Sequence, residues 1–160
     1  MLHWTLPTLG GFVAFLPLMA GSNVSGWLGF LYINFFTVLL VLAHEVGHAL
    51  FARMFGAHVL GLVLSGHGGL CLVANEPSSR VGRAFFYAGG AIAQVIVLGL
   101  CVVGLLLFSA PTSLWATCAV FVLLGLNAVY LLFTLIPHGS NDGVRLLQLF
   151  RDPRHARSTR

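Results

Sequence analysis

The sequence carries five consecutive residues able to hold a metal and work with it, His44-Glu45-Val46-Gly47-His48. Side chains four apart lie on one face of a helix, and two imidazoles so placed bind one Zn²⁺ at roughly 2.0 to 2.1 Å each. Glu45 then sits beside the metal without ligating it. A carboxylate there takes a proton from a water that the metal acidifies and later passes it to a leaving amine. Gly47 lets backbone or substrate come close. In a polar, soluble helix such a pattern is commonly two surface histidines and a glutamate, and here the surroundings argue against that reading.

A catalytic zinc of this kind takes a third protein ligand and keeps one position open. Asp142 is the best candidate, in the run Thr134-Leu135-Ile136-Pro137-His138-Gly139-Ser140-Asn141-Asp142-Gly143. Pro137 breaks the preceding apolar helix, and Gly139 and Gly143 allow the tight turns that bring a carboxylate back toward the histidines. Two readings stand for Asn141-Asp142-Gly143 at this point: a ligand-bearing turn, or only a polar turn or helix cap. His138, four residues earlier, is a second possible ligand or a turn-exposed ring. His67 either lines a substrate path or is simply wet, and His3, His58 and His155 carry no argument. Cys71, Cys101 and Cys118 show no metal-ligand spacing and read as packing residues, with no disulfide framework.

The elements that must position these groups are set by composition. Of the 160 residues 58% are hydrophobic and 8% charged, and all eight basic side chains are arginines. That excludes an ordinary soluble domain. Ionisable groups near a membrane interior are expensive, so His44, Glu45 and His48 within five residues require a metal or one another. The expected fold is an all-α membrane protein, a polytopic bundle of about four transmembrane helices with a short membrane-associated β-hairpin after the H-E-x-x-H helix. The spans are expected at about 4–20, 24–53, 84–109 and 114–136, within a single domain covering 1–160. The first is interrupted by Pro7, Gly10, Gly11 and Pro17 and is read as a retained helix rather than a signal peptide. From His58 to Asn75, β-branched and leucine-rich runs around Ser65-Gly66-His67-Gly68-Gly69 predict the hairpin.

Arginines orient the chain. Arg53, Arg80 and Arg83 lie between the second and third spans, and Arg145, Arg151, Arg154, Arg157 and Arg160 follow the fourth. The positive-inside tendency then turns the end of the H-E-x-x-H helix, the hairpin and the 144–160 tail toward the cytoplasm. The tail arginines read as anchors to anionic lipid headgroups, not as a nucleic-acid contact, with a turn and a half of interfacial helix after Gly143. Little length remains for a sensing module, so control is expected to come from the membrane core or a regulatory partner.

With these residues in view, the chain resembles the site-2 protease family of intramembrane zinc metalloproteases. That family pairs an H-E-x-x-H helix with a later N-x-x-P-x-x-x-x-D-G pattern, and Pro137, Asp142 and Gly143 fall at the matching spacing. The likeness extends to the glycine-rich Gly66-His67-Gly68-Gly69 and to Ala88-Gly89-Gly90-Ala91-Ile92-Ala93-Gln94 at the start of the next helix, over about Val24 to Leu147. It implies that His44, His48 and Asp142 are zinc ligands and Glu45 the general base. It also implies that the enzyme is an endopeptidase cleaving transmembrane or membrane-proximal segments of other proteins. Thr134 and Gln94 stand where the family commonly has asparagine. Thr134, Gly68 and Gly69 are expected at the substrate, with Asn127, two helical turns before Thr134, supplying a polar group on nearly the same face. The competing readings are a noncatalytic membrane metal-binding scaffold or escort, and a membrane zinc hydrolase of a small substrate. An intact Glu45 favours catalysis over a scaffold.

Overall fold

The structure, a computed structural model, describes residues 26–65, 68–108 and 111–151. The expected span at 4–20, the hairpin-tip His67 and the last nine residues lie outside them. The described chain runs as a helix α1 (Gly26–Met54), a hairpin of β1 (Val59–Ser65) and β2 (Gly68–Val73), and a helix α2 (Arg80–Phe108). A helix α3 (Leu114–Leu135) and a short helix α4 (Asp142–Arg151) complete it. Leu31–Met54, Arg80–Phe108 and Leu114–Leu135 are each long and apolar enough to cross a bilayer. Side chains such as Leu100, Leu106 and Phe108 point outward, as they do on helices bathed in lipid. The chain is a multi-pass membrane protein.

The boundaries follow from capping chemistry. Gly56, with φ of 79°, ends α1 in a left-handed turn in which the Ala57 N–H reaches back to the Ala52 carbonyl at 2.8 Å. The third expected span starts four residues earlier than its apolar stretch suggests. Ser79 caps it by accepting the Gly82 N–H at 2.9 Å, so a polar first turn containing Arg80 and Arg83 belongs to the helix. Ser113 caps α3 in the same way through Ala116. Helix α4 is longer than the turn and a half expected, because it begins at Asp142 rather than after Gly143.

Inside α3 a single π turn at Val122–Leu126 separates two α-helical stretches. Its extra residue lets Val122 and Asn127, five apart, both be fully buried, which an unbroken α-helix would turn to different faces. Ile33, Leu40 and Val122 form one apolar cluster joining the three spans, with Phe36 and Val97 against it. Ala52, Ala57 and Phe86 form another under the hairpin, with Val59, Cys71 and Val73 packed on it. The strands pair antiparallel from Val59 opposite Val73 to Ser65 opposite Gly68, with an irregularity between Val59 and Gly61.

Helices α1 and α2 touch backbone to backbone. A Cβ on Gly47 would collide with the Gly89 carbonyl, and one on Gly89 would lie 2.7 Å from the Gly47 carbonyl oxygen. Small residues at a membrane helix crossing permit this approach, and here it sets how deeply the histidine helix sits against α2. Gly89→Ala is expected to destabilise the fold by about 1–3 kcal/mol through overpacking. Gly99→Ala, where nothing lies within 4 Å, is expected to cost nothing. Thermal melting of the two variants in detergent checks this, and equal melting points would show that the crossing tolerates a wider gap.

Candidate metal centre

Three ligand-type atoms converge at the end of α1. His44 Nε2 lies 3.1 Å and His48 Nε2 3.2 Å from Asp142 Oδ2, and the two imidazole nitrogens are 3.0 Å apart. Both histidines are buried, and the Asp142 side chain is 21% exposed. His48 has its other ring nitrogen, Nδ1, 2.6 Å from the Phe86 carbonyl oxygen, which can only accept. Nδ1 therefore carries the proton, and in a neutral ring Nε2 presents its lone pair to the cluster. Three electron-pair donors held this close in a buried place repel unless a cation or protons lie among them. A tetrahedral ion with bonds of 2.0–2.1 Å separates its ligand atoms by roughly 3.3 Å, near the spacing seen here. The residues therefore fit a zinc-type ion held by His44, His48 and Asp142.

Each of the three candidate ligands is placed by a different device. Helix periodicity aligns the two histidines. The backbone of Gly90 on α2 lies against the His44 ring so closely that any Cβ there would overlap it, and the Tyr130 ring of α3 sits 5.3 Å from the His44 ring, centroid to centroid. Asp142 is the first residue of α4, where the helix dipole favours a carboxylate. Burial works to raise its carboxyl pKa, but hydrogen bonds with His44 and His48 outweigh that and hold it below the usual carboxylate range. Asn141 immediately before it is the cap: its Oδ1 accepts the Val144 N–H at 3.1 Å. Its Nδ2 donates to the carbonyls of Phe133 and Ile136 at 2.8 and 2.7 Å. One amide thus staples the end of α3 to the start of α4, and Gly143 lets α4 seat directly on the Leu135 carbonyl. The two readings of Asn141-Asp142-Gly143 turn out to be compatible, since the cap is what aims the carboxylate.

Glu45 is 3% exposed and lies beside the cluster, under the hairpin. Its side chain rests on Gly69, where a Cβ would overlap it, and it accepts a backbone hydrogen bond from Cys71. Because the Ala74 N–H turns to His58 on the β1 side, the N–H groups of alternate residues 71 and 73 face the other way, along the edge of β2 that no other described strand pairs with. The Cys71 thiol itself is pushed up to about 11 by burial and then by Glu45, so it stays protonated at neutral pH.

The cluster opens into a cavity of about 540 Å³ bounded by α1, β2 and α3, with apolar walls from residues such as Val41, Val129 and Phe133. Thr134, Gly68 and Gly69 line it, as does His138. The Thr134 hydroxyl donates to the Leu131 carbonyl at 3.0 Å. His138 is not part of the metal cluster: its Nδ1 lies 2.8 Å from the Ile136 carbonyl and 3.0 Å from Asn141 Nδ2. The structure does not bring Asn127 to the cavity. The residue is fully buried between α2 and α3, with Nδ2 donating to the Gln94 carbonyl at 3.1 Å, a placement that the preceding π turn sets. Two contributors were not singled out by the sequence, whereas Asn141 was already read with Asp142 and Gly143 as a possible helix cap. Tyr130 was findable from its inward register with Asn127 and Thr134. The Phe86 carbonyl, a backbone atom, leaves no signal.

Comparison with known proteins bears on this geometry. The model of the family described as Peptidase M50B-like matches residues 9–139. A protein of Synechocystis sp. carrying the name "Putative zinc metalloprotease" is 34% identical over 110 residues, a match covering 68% of this chain and 28% of that relative. The chain thus corresponds to less than a third of the relative's length. A match that takes in the whole of the histidine helix and runs to the turn after α3 makes this chain a member of the Peptidase M50B-like family, the site-2 protease family of metalloproteases.

Proposed function

We propose that the protein is a zinc-dependent endopeptidase that cleaves transmembrane or membrane-proximal segments of other proteins. The observation that carries this reading is the position of the ligand cluster: His44 and His48 lie within a membrane-capable helix, and the cavity over them is walled by two such helices and the edge of β2. Bound by His44, His48 and Asp142, zinc would polarise a scissile carbonyl and acidify a water. Glu45, held by Gly69 and the Cys71 N–H, takes the proton of the attacking water and returns it to the leaving amine. A hydrophobic span of a substrate is about 30 Å long as a helix, and a cavity of this size takes only a few residues of extended chain, so the substrate unwinds locally.

This outer edge of β2, unpaired among the described strands, is suited to hold that unwound stretch. An added strand hydrogen-bonds to the outward N–H and C=O groups of an edge, and on β2 this edge runs past Glu45. A segment paired there brings its backbone to the carboxylate. The grouping of Arg53, Arg80, Arg83, Arg145 and Arg151 at the end of the molecule that carries α4 supports a cytoplasm-facing centre by the positive-inside tendency. The partners of this reading are a membrane-protein substrate and the bilayer itself.

Three outcomes test it. Cells carrying the wild type should contain fragments of membrane proteins, ending in or beside a span, that are missing with Glu45→Gln. Indistinguishable fragment patterns with both proteins zinc-loaded would leave a scaffold or a small-substrate hydrolase as the better reading. Purified wild type should hold about one zinc per chain, and Asp142→Ala should bind it at least about 100-fold more weakly, more than the 10–100-fold typical of losing a residue that only orients a ligand. Retention of tight zinc by that variant would remove Asp142 from the ligand set. Val73→Pro deletes an outward N–H of β2 without touching the bonds to β1, and should lower cleavage by about 2–10-fold with zinc still bound, the worth of one hydrogen bond. Unchanged cleavage would rule out pairing along that edge.

A further inference from the structure

Behind the metal cluster lies a group of buried polar atoms for which the proposed mechanism has no use. Among the described residues, His44 Nδ1, both polar atoms of the Gln94 side chain and Asn127 Oδ1 are buried and find no hydrogen-bond partner. His44 is 3% exposed, and Gln94 and Asn127 are not exposed at all. Such atoms are costly in water-soluble cores and no cheaper among membrane helices.

They share a neighbourhood. Gly90 packs on the His44 ring, and Gln94 follows it by one turn on the same face of α2. Helical side chains lean toward the N-terminus of their own helix, so that of Gln94 leans back toward Gly90 and the histidine. Asn127 is bonded to the Gln94 carbonyl through its Nδ2. The contrast with the other histidine is sharp: His48 donates Nδ1–H to the Phe86 carbonyl, and His44 has no such acceptor among the described residues. A metal-ligating histidine almost always gives its second N–H to an acceptor, which fixes both tautomer and aim.

We propose that these atoms form a buried water site that positions His44. One water accepts the His44 Nδ1–H and donates to the side-chain oxygens of Gln94 and Asn127, three bonds being the usual complement of an internal water. The water serves His44 as the Phe86 carbonyl serves His48. Gln94 and Asn127 are then positioning residues acting through His44, and Gln94 does so in a position where an apolar side chain would otherwise be the cheaper choice. A cation does not suit the site, because it would face the Nδ1–H of His44.

This inference rests on His44 being a metal ligand. Zinc affinity of the full chain in detergent, measured by competition with a chelator, tests it together with thermal melting of the zinc-free protein. Gln94→Met removes the amide at similar volume. It is expected to weaken zinc binding about 10–100-fold, while the zinc-free melting temperature is unchanged or higher. Gln94→Glu keeps an acceptor and is expected to restore affinity close to that of the wild type. Cobalt in place of zinc should show shifted visible bands in Gln94→Met and wild-type bands in Gln94→Glu. Wild-type zinc affinity in Gln94→Met, beside a weakened Asp142→Ala, overturns the inference and leaves the metal centre standing. Unweakened binding in both variants overturns the ligand assignment as well. Should Gln94→Met not fold, ¹⁵N-histidine NMR of the wild type decides. A His44 ring protonated at Nδ1 and exchanging magnetisation with a long-lived water supports the site, and an Nδ1 without a proton overturns it.

Discussion

The structure depends on one electrostatic constraint: three metal-binding atoms and a carboxylate must be held together where water is scarce. His44, His48, Glu45 and Asp142 lie within one small volume at the end of membrane-capable helices, and the charges of Glu45 and Asp142 would repel there without a cation between the imidazoles. Much of what surrounds them serves to keep those atoms aimed. The Phe86 carbonyl holds one imidazole, the Gly90 backbone leaves room for the other, and the Cys71 N–H and Gly69 hold the glutamate.

Close backbone approach is the means by which the fold meets that constraint. The Gly47 and Gly89 contact brings α2 near enough for its carbonyl to reach His48 and for Gly90 to reach His44. A wider crossing would separate the histidines from both. The same device recurs at Gly143, where α4 sits on the end of α3 so that the first residue of α4 reaches the histidines of α1. Gly69 and Gly90 lie directly against the Glu45 and His44 side chains, and Gly47, Gly89 and Gly143 let the elements that carry such residues come within a backbone's reach of one another.

The distribution of polar atoms separates two sides of the centre. Toward the cavity stand Glu45, Asp142, the β2 edge and the hydroxyl-bearing Thr134, all reachable by an entering segment. Away from it stand Gln94 and Asn127, sealed between α2 and α3. Buried amides in a membrane bundle are retained at a cost, which is more readily understood if they orient a ligand than if they merely fill space. Membrane zinc sites of this kind would then be organised from behind as well as from the substrate side.

Helix periodicity and composition made a good part of this legible in the residues alone. The i, i+4 spacing of His44 and His48 put them on one face, the apolar runs marked the three described spans, and β-branched stretches around glycine marked the hairpin, because each is a property of a short contiguous segment. Asp142 was readable as a candidate from its turn residues, yet its approach to His44 across 98 positions is a tertiary fact, set by the Asn141 staple and the seat of Gly143. The placement of Asn127 against Gln94 rather than at the cavity was decided by the π turn, since one extra residue rotates all that follows and no local preference announces it. Sequence alone thus determined the kinds of groups available and the helices that carry them. Which groups meet at the His44, His48 and Asp142 cluster, which line the cavity and which lie behind was settled by the packing of helix on helix, where distances of a few tenths of an ångström depend on the whole bundle.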